Sequence, residues 1–297
     1  MISQREARHL AAGALRAHGL PGRPKALKWR SAPAQAQLFT AGNLLLKVYA
    51  PDARARGQRQ ASRQTEVASA LAQGPFRAPP VAFFDGQTLA MPRIAGPDLA
   101  TLWRDGDPTV PTLAGLWLRA FHDLSQHRFP FQPVPHVKWL RHVAGQVEKQ
   151  DRLVIDPKAF TAVCAEAINQ AHALRSQPST RAIIHRDMTL ANLLYDGSVT
   201  WGIDFENTSE DAPLRDLFTL ALDFVTLCRR NGCDDGRALT DLRAAYGDNR
   251  TAPRVREFLT RCYALHVWAN TPLAPTPIHH ARLVAVRRLL ATGEQLI

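Results

Sequence analysis

The chain has 297 residues, 45% of them hydrophobic and 21% charged, enough for one large domain or two modest ones and unlike a disordered, collagen-like or repeat protein. Its net charge is +11, and the excess is uneven: residues 1–95 hold 14 Lys and Arg against 4 Asp and Glu, and residues 96–297 hold 23 against 22. A basic half of this kind is expected to meet an anionic partner, such as an acidic membrane surface, or to surround a polyphosphate pocket.

Taken in chain order, residues 3–18 read as an amphipathic helix ended by Gly19 and Pro21. Its apolar residues are broken up by Arg5, Glu6, Arg8 and Arg16, so it lacks the continuous core of a signal peptide. Strand-like runs follow at 26–30, 35–40 and 43–49, the last two joined by Ala41-Gly42 as a tight hairpin. A helix is predicted over 59–73, and two more strands at 81–84 and 88–92 flank the turn Asp85-Gly86. The densest basic run, Arg54-Ala-Arg-Gly-Gln-Arg-Gln-Ala-Ser-Arg63, has no interleaved aromatic residues, so no DNA contact is expected. Together these elements predict a five-stranded antiparallel sheet with one helix inserted after the third strand.

After Gly96-Pro97 the pattern turns helical, with predicted helices at 109–126, 137–149, 157–176, 214–231, 235–246, 253–269 and 278–296. The fold class expected is therefore α+β in two lobes. A small antiparallel-sheet lobe over 1–95 precedes a larger helical lobe over 96–297. No run approaches the roughly 18 apolar residues of a membrane span, and a cytoplasmic location is expected. The four cysteines, Cys164, Cys228, Cys233 and Cys262, form no Cys-x-x-Cys pair, which suits free thiols in a reducing compartment better than a zinc site.

One segment interrupts the helices. It reads Ile184-His185-Arg186-Asp187-Met188-Thr189-Leu190-Ala191-Asn192-Leu193-Leu194-Tyr195, then Trp201-Gly202-Ile203-Asp204-Phe205-Glu206. Phosphoryl transfer asks a protein for in-line positioning and cancellation of charge rather than covalent chemistry. Asp187 at a loop apex suits a base that accepts the proton of an attacking hydroxyl. Asn192 and Asp204 offer an amide oxygen and a carboxylate, the hard oxygen ligands that suit Mg²⁺. In the third strand Lys47 sits among Leu44-Leu-Leu-Lys-Val-Tyr49, and a lysine in an apolar strand needs an anionic partner.

The His-Arg-Asp-x4-Asn and Ile-Asp-Phe segments resemble the catalytic and metal-binding loops of the protein-kinase-like superfamily, in particular its aminoglycoside phosphotransferase and choline kinase branch. The resemblance covers roughly residues 25–230. It implies a two-lobed kinase-like fold that binds ATP and Mg²⁺ and phosphorylates a hydroxyl of a small molecule of the aminoglycoside, sugar or amino-alcohol type. Two alternatives remain open: a lipopolysaccharide-sugar kinase, and a non-catalytic anion-binding module on a kinase fold. By the same resemblance Lys47 contacts the ATP phosphates, Glu66 on the following helix orients Lys47, and the backbone from Met91 to Arg93 binds adenine over Leu194. Asp187 and Asn192 act in catalysis, Asn192 and Asp204 bind the metal, and Asp216 braces the catalytic loop. Ser31, in a first loop without glycines, would contact phosphate.

The chain also departs from the pattern. Only twelve residues separate Asp204 from Asp216, too few for the activation segment of a protein kinase, and Glu206 stands where protein kinases have glycine. Arg186 occupies a position that is glycine in many members of the small-molecule branch, and is expected to pair with a nearby carboxylate. Glu206, Glu210 and Asp211 can attract a cationic amine, although acids before a helix that begins near Pro213 are equally expected as caps. The basic N-terminal lobe points toward an anionic substrate instead.

Overall fold

The computed structural model describes residues 1–27, 32–227 and 235–293. They group into two compact units, Met1–Asp98 with Asn192–Thr208, and Leu99–Ala191 with the remainder.

The first unit opens with α1 (Gln4–Ala17). Ser3 and Glu6 cap its start reciprocally, the Ser3 hydroxyl accepting from the Glu6 amide at 3.2 Å and the Glu6 carboxylate accepting from the Ser3 amide at 3.0 Å. Ala7, Ala11, Ala14 and Leu15 recur at helical spacing and are buried. Next come β1 (Lys25–Ala26), β2 (Ala36–Ala41), β3 (Leu44–Tyr49), α2 (Arg54–Ala70), β4 (Phe76–Arg77), β5 (Phe83–Phe84) and β6 (Thr88–Pro92). Five of these strands form an antiparallel sheet in the order β1-β2-β3-β6-β5. Phe39, Leu46, Val48 and Leu89 are fully buried in its core. β1 is shorter than the expected 26–30; residues 28–31, and with them the expected phosphate contact Ser31, lie outside the described residues. α2 starts five residues before the expected 59, because a turn at Pro51–Ala53 leads directly into it and its polar first turn carries no apolar periodicity.

The second unit continues through α3 (Leu99–Asp105), α4 (Val110–Asp123), β7 (His127–Pro130), α5 (Val134–Glu148), α6 (Pro157–Ala171) and β8 (Pro178–Ile184). The chain then returns to the first unit with β9 (Leu193–Tyr195) and β10 (Thr200–Gly202), which pair with each other antiparallel. β10 also pairs parallel with β4. The first unit is thus discontinuous in sequence, and a single division between residues 95 and 96 does not describe it. β11 (Ser209–Asp211), α7 (Leu214–Thr226), α8 (Asp235–Tyr246), α9 (Pro253–Ala269) and α10 (Pro277–Thr292) complete the second unit. There β11, β8 and β7 form a second antiparallel sheet.

α7 is buried on nearly all sides, and the fully buried Trp103, Trp117, Phe121, Phe224 and Phe258 pack the surrounding core. A largely apolar helix has to be central; half-buried Arg215 and Thr219, one turn apart, form its polar edge, and its two buried acids, Asp216 and Asp223, have a role described below. The expected helices at 157–176, 214–231 and 278–296 are shorter in the structure. α6 ends at Ala171 before a 3-10 turn at His172–Leu174, α7 at Thr226 and α10 at Thr292. Residues 228–234 and 294–297 lie outside the described residues, so nothing is said of Cys228 or Cys233. Cys164 and Cys262 are buried free thiols. Among the described residues no helix is long and apolar enough to cross a membrane.

Candidate active site

In the first unit, β3 pairs with β2 on one side and β6 on the other. The Lys47 ammonium is held inside, with its side chain 12% exposed. Its nitrogen lies 2.7 Å from Asp204 Oδ1 and 2.8 Å from Glu206 Oε2. Burial alone would pull the Lys47 pKa down, but the carboxylates of Asp204 and Glu206 outweigh it and the net direction is up. Lys47 is therefore a cation clamped between two anions. The neighbouring Tyr49 hydroxyl is pushed up by burial and donates to Gln60 on α2.

The expected pairing of Lys47 with Glu66 does not form. Glu66 is exposed on α2 and pairs with Arg63 one turn back, at 2.6 Å. The buried face of α2 runs through Gly57, Gln60, Ala61, Gln64 and Val67. Glu66 is two residues from Gln64, about 200° around a helix of 3.6 residues per turn, and so points away. The acid that serves Lys47 comes instead from Glu206, two residues after Asp204. Sequence spacing from the lysine located the helix and missed the face.

Asp204 has a left-handed backbone, φ 69°. Its Oδ1 holds Lys47, and among the described residues no hydrogen bond engages Oδ2. The Ile203 amide donates to the Asn192 carbonyl at 3.0 Å, which ties the two expected metal-ligand segments together. A carboxylate oxygen left available beside an Asn fits Mg²⁺, which takes one or two protein oxygens and fills its remaining positions with water and phosphate oxygens. Of the expected adenine residues, Met91 is buried in β6, and the Arg93 amide donates to the Asn43 carbonyl at 2.7 Å. Leu194 is half-buried in β9 and bridges Asp98.

In the second unit, Asp187 is exposed in the loop that follows β8. That loop is held by α7. The Asp216 carboxylate, fully buried, accepts from the His185 amide at 2.6 Å, the Arg186 amide at 2.8 Å and the His122 ring at 3.2 Å. Burial would raise its pKa, but these donors and the facing histidines overcome it and the net direction is down. Seven residues on, two helical turns along the same face, Asp223 accepts from the Leu190 amide at 2.9 Å and pairs with Arg282 at 2.5 Å. Two aspartates therefore fix the loop on either side of Asp187. Asp216 braces it as the resemblance implied. Asp223 was not singled out from the sequence, although two acids seven apart on a largely apolar helix were the available signal. His122, buried between Asp216 and Tyr246, is structural.

The same unit contains a cavity of about 500 Å³ that reaches this loop through Arg186. Arg181, Arg215 and Arg282 also line it, with Trp139 and Phe218 among its aromatic faces. The three acids considered for a cationic amine are all engaged elsewhere or locally. Glu206 holds Lys47, exposed Glu210 lies 3.3 Å from His127, and Asp211 accepts from the Ala212 amide at 2.8 Å and from Arg215 at 3.3 Å. Among the described residues no carboxylate lies within ion-pair distance of Arg186, so the expected local pairing is absent.

The model of the phosphotransferase enzyme family (APH) matches residues 34–258, well over half of the chain. No curated protein matches it in sequence. Solved structures similar to it include a choline/ethanolamine kinase family protein from Mesorhizobium loti, 21% identical over 97% of this chain and 95% of that one, with a TM-score of 0.63. Macrolide 2'-phosphotransferase MphH from Brachybacterium faecium is 13% identical over 96% and 93%, with a TM-score of 0.60. A streptomycin-ATP-APH(2")-IIa ternary complex is 13% identical over 100% and 98%, with a TM-score of 0.58. At these identities the likeness is one of fold: the kinase-like α+β fold.

Proposed function

We propose that this chain, which belongs to the phosphotransferase enzyme family, transfers the γ-phosphoryl group of ATP to a hydroxyl of a small molecule. The observation that carries this reading is the clamped Lys47 beside Asp204, with Asn192 tied to the same segment and Asp187 held on a loop fixed by two buried aspartates. In this reading Asp187 takes the proton of the attacking hydroxyl. That oxygen bonds to the γ-phosphorus as the bond to the bridging oxygen breaks and ADP leaves with the electron pair. Lys47 holds phosphate oxygens, and Glu206 keeps its ammonium in place. Asp204 and Asn192 would hold Mg²⁺, which when bound cancels charge on the phosphate oxygens. The Arg93 amide is spent on Asn43, Pro92 has no N–H and Met91 pairs in register with Leu45, so recognition of adenine by 91–93 falls to backbone carbonyls, over Leu194. The ATP- and ADP-bound neighbours of like fold, one of them the streptomycin complex, support a nucleotide donor.

The test is a nucleotide-consumption assay with Mg²⁺ across hydroxyl compounds, run beside calorimetric nucleotide binding. Acceptor-dependent turnover that is lost in Asp204→Asn supports the proposal; absence of any nucleotide binding refutes it.

A further inference from the structure

The arginine-lined cavity of the second unit is not accounted for by phosphoryl transfer as such. Four guanidinium groups line it, from Arg181, Arg186, Arg215 and Arg282, and Asp211 is its one carboxylate. Two of the four are already balanced: Arg215 by Asp211 at 3.3 Å, and Arg282 by Asp223 at 2.5 Å. The other two are not. Arg181 lies 3.9 Å over the Phe129 ring, which orients the guanidinium without neutralising it. Arg186 is exposed and, among the described residues, meets no carboxylate.

The backbone at Arg186 adds a second, independent observation. Its φ is 69°, in the left-handed region, where the Cβ of any residue other than glycine crowds the backbone at a cost of roughly 1 kcal/mol. Folding alone would favour glycine there. Arg186 keeps a charged side chain at that position and lines the cavity with it. The two cavity histidines agree. His136 has its pKa lowered by burial, then by Arg215 and Arg181 against the opposing pull of Asp211. His266 has its pKa lowered by burial, then by Arg215, Arg186 and Arg152. Trp139 and Phe218 supply apolar faces for the rest of the molecule.

We infer that this cavity binds an oxyanion, a phosphate or carboxylate group carried by the hydroxyl acceptor, through the guanidinium groups of Arg181 and Arg186. That the anion belongs to the acceptor rests on the proposed phosphotransferase reading; the anion site itself does not. Guanidinium forks match the planar, bidentate geometry of such groups. A cationic amino sugar or amino alcohol would meet four arginines and a single, already engaged carboxylate.

The test is calorimetric titration of the full chain, with its nucleotide site saturated by ADP and Mg²⁺, using inorganic phosphate, acetate and glucosamine as probes. We expect phosphate or acetate to bind, the tighter of the two naming the oxyanion, with an affinity that falls as salt rises. Arg186→Gly, which relaxes the backbone and so tests the side chain without a folding penalty, and Arg181→Gln should each weaken that binding roughly tenfold. Asp211→Asn keeps an acceptor for the Ala212 amide and releases Arg215, so it should tighten binding several-fold, a gain that misfolding cannot imitate. Failure of both anions to bind, anion binding indifferent to Arg181→Gln and Arg186→Gly, or glucosamine binding that Asp211→Asn weakens, would each overturn the inference. Anion binding without any nucleotide binding would refute the proposed function and leave the cavity assignment standing. Transfer to a cationic acceptor, with no anion bound, would do the reverse.

Discussion

The two halves of the sequence, 1–95 and 96–297, differ in net charge, but the two units hardly do, because the segment Asn192–Thr208 brings Asp196, Asp204 and Glu206 to the first unit. Residues 1–95 carry nearly all of the excess positive charge, yet the lysine inside the first unit is matched by two carboxylates, Asp204 and Glu206. Residues 96–297 are almost neutral, with 23 basic and 22 acidic residues, yet a cavity of about 500 Å³ among them is lined by four arginines and one aspartate. The net charge of a segment reports its solvated surface, and exposed Arg54 and Arg59 on α2 are examples. What a site can hold depends on which charges inside it lack partners. By that measure the second unit offers two unmatched guanidinium groups to an anion, whereas the Lys47 ammonium of the first is matched by two carboxylates, which a phosphate in the proposed reaction would have to compete with.

The sharpest way to break this comparison is at the loop of the second unit. Asp187→Ala should lower turnover roughly a thousandfold while leaving nucleotide binding intact, measured as initial rates beside a calorimetric titration. Asp216→Ala strands two backbone amides and His122 in a buried site, so it should cost about 3 kcal/mol of stability, read from the denaturant midpoint. In the first unit, Glu206→Gln should reduce turnover about tenfold or more by loosening Lys47, whereas Glu66→Gln should leave both rate and stability at wild-type levels. Equal losses from the two glutamate variants would restore the pairing that sequence spacing suggested. A smaller effect is expected at Gly96, whose φ is +135° and where an added Cβ would collide with the Tyr195 carbonyl; Gly96→Ala should lose about 2 kcal/mol in thermal unfolding.

The smallest effect is one of pH. His136 and His266 are both held below their ordinary value of 6.5 in the folded chain. Between the folded and unfolded values the unfolded chain binds more protons. Stability from these two groups is therefore complete above about pH 6.5 and declines as pH falls below it. Denaturant unfolding at pH 7.5 and pH 5.5 reads this directly, and His266→Gln should shrink the difference.

Much of the fold was legible because its signals are local. The hairpin at Ala41-Gly42, the alternating runs around Asp85-Gly86 and the helical periodicities after Gly96 each depend on a few neighbouring residues. The five-stranded sheet follows from them. The two-residue strand β4 was not legible, because its partner β10 is distant in sequence, Thr200 pairing with Phe76, and the discontinuity of the first unit went with it. At the site, the spacing of Asp187, Asn192 and Asp204 could be read from the chain, and so could Asp216. The partner of Lys47 could not: spacing pointed to Glu66 alone, whereas Glu206 lies 159 residues from the lysine and is brought to it only by the fold. The cavity arginines come from β8, the loop after it, α7 and α10, so no sequence window contains them.

The most direct test of the account is transfer of labelled γ-phosphate from ATP with Mg²⁺ to paired hydroxyl compounds that differ only in bearing a phosphate or carboxylate, a neutral group or an amine, with wild type beside Asp187→Ala. The account predicts transfer to the anionic member of a pair in preference to the others, and its loss in the variant. Transfer that persists in Asp187→Ala, or that favours the amine, would contradict it.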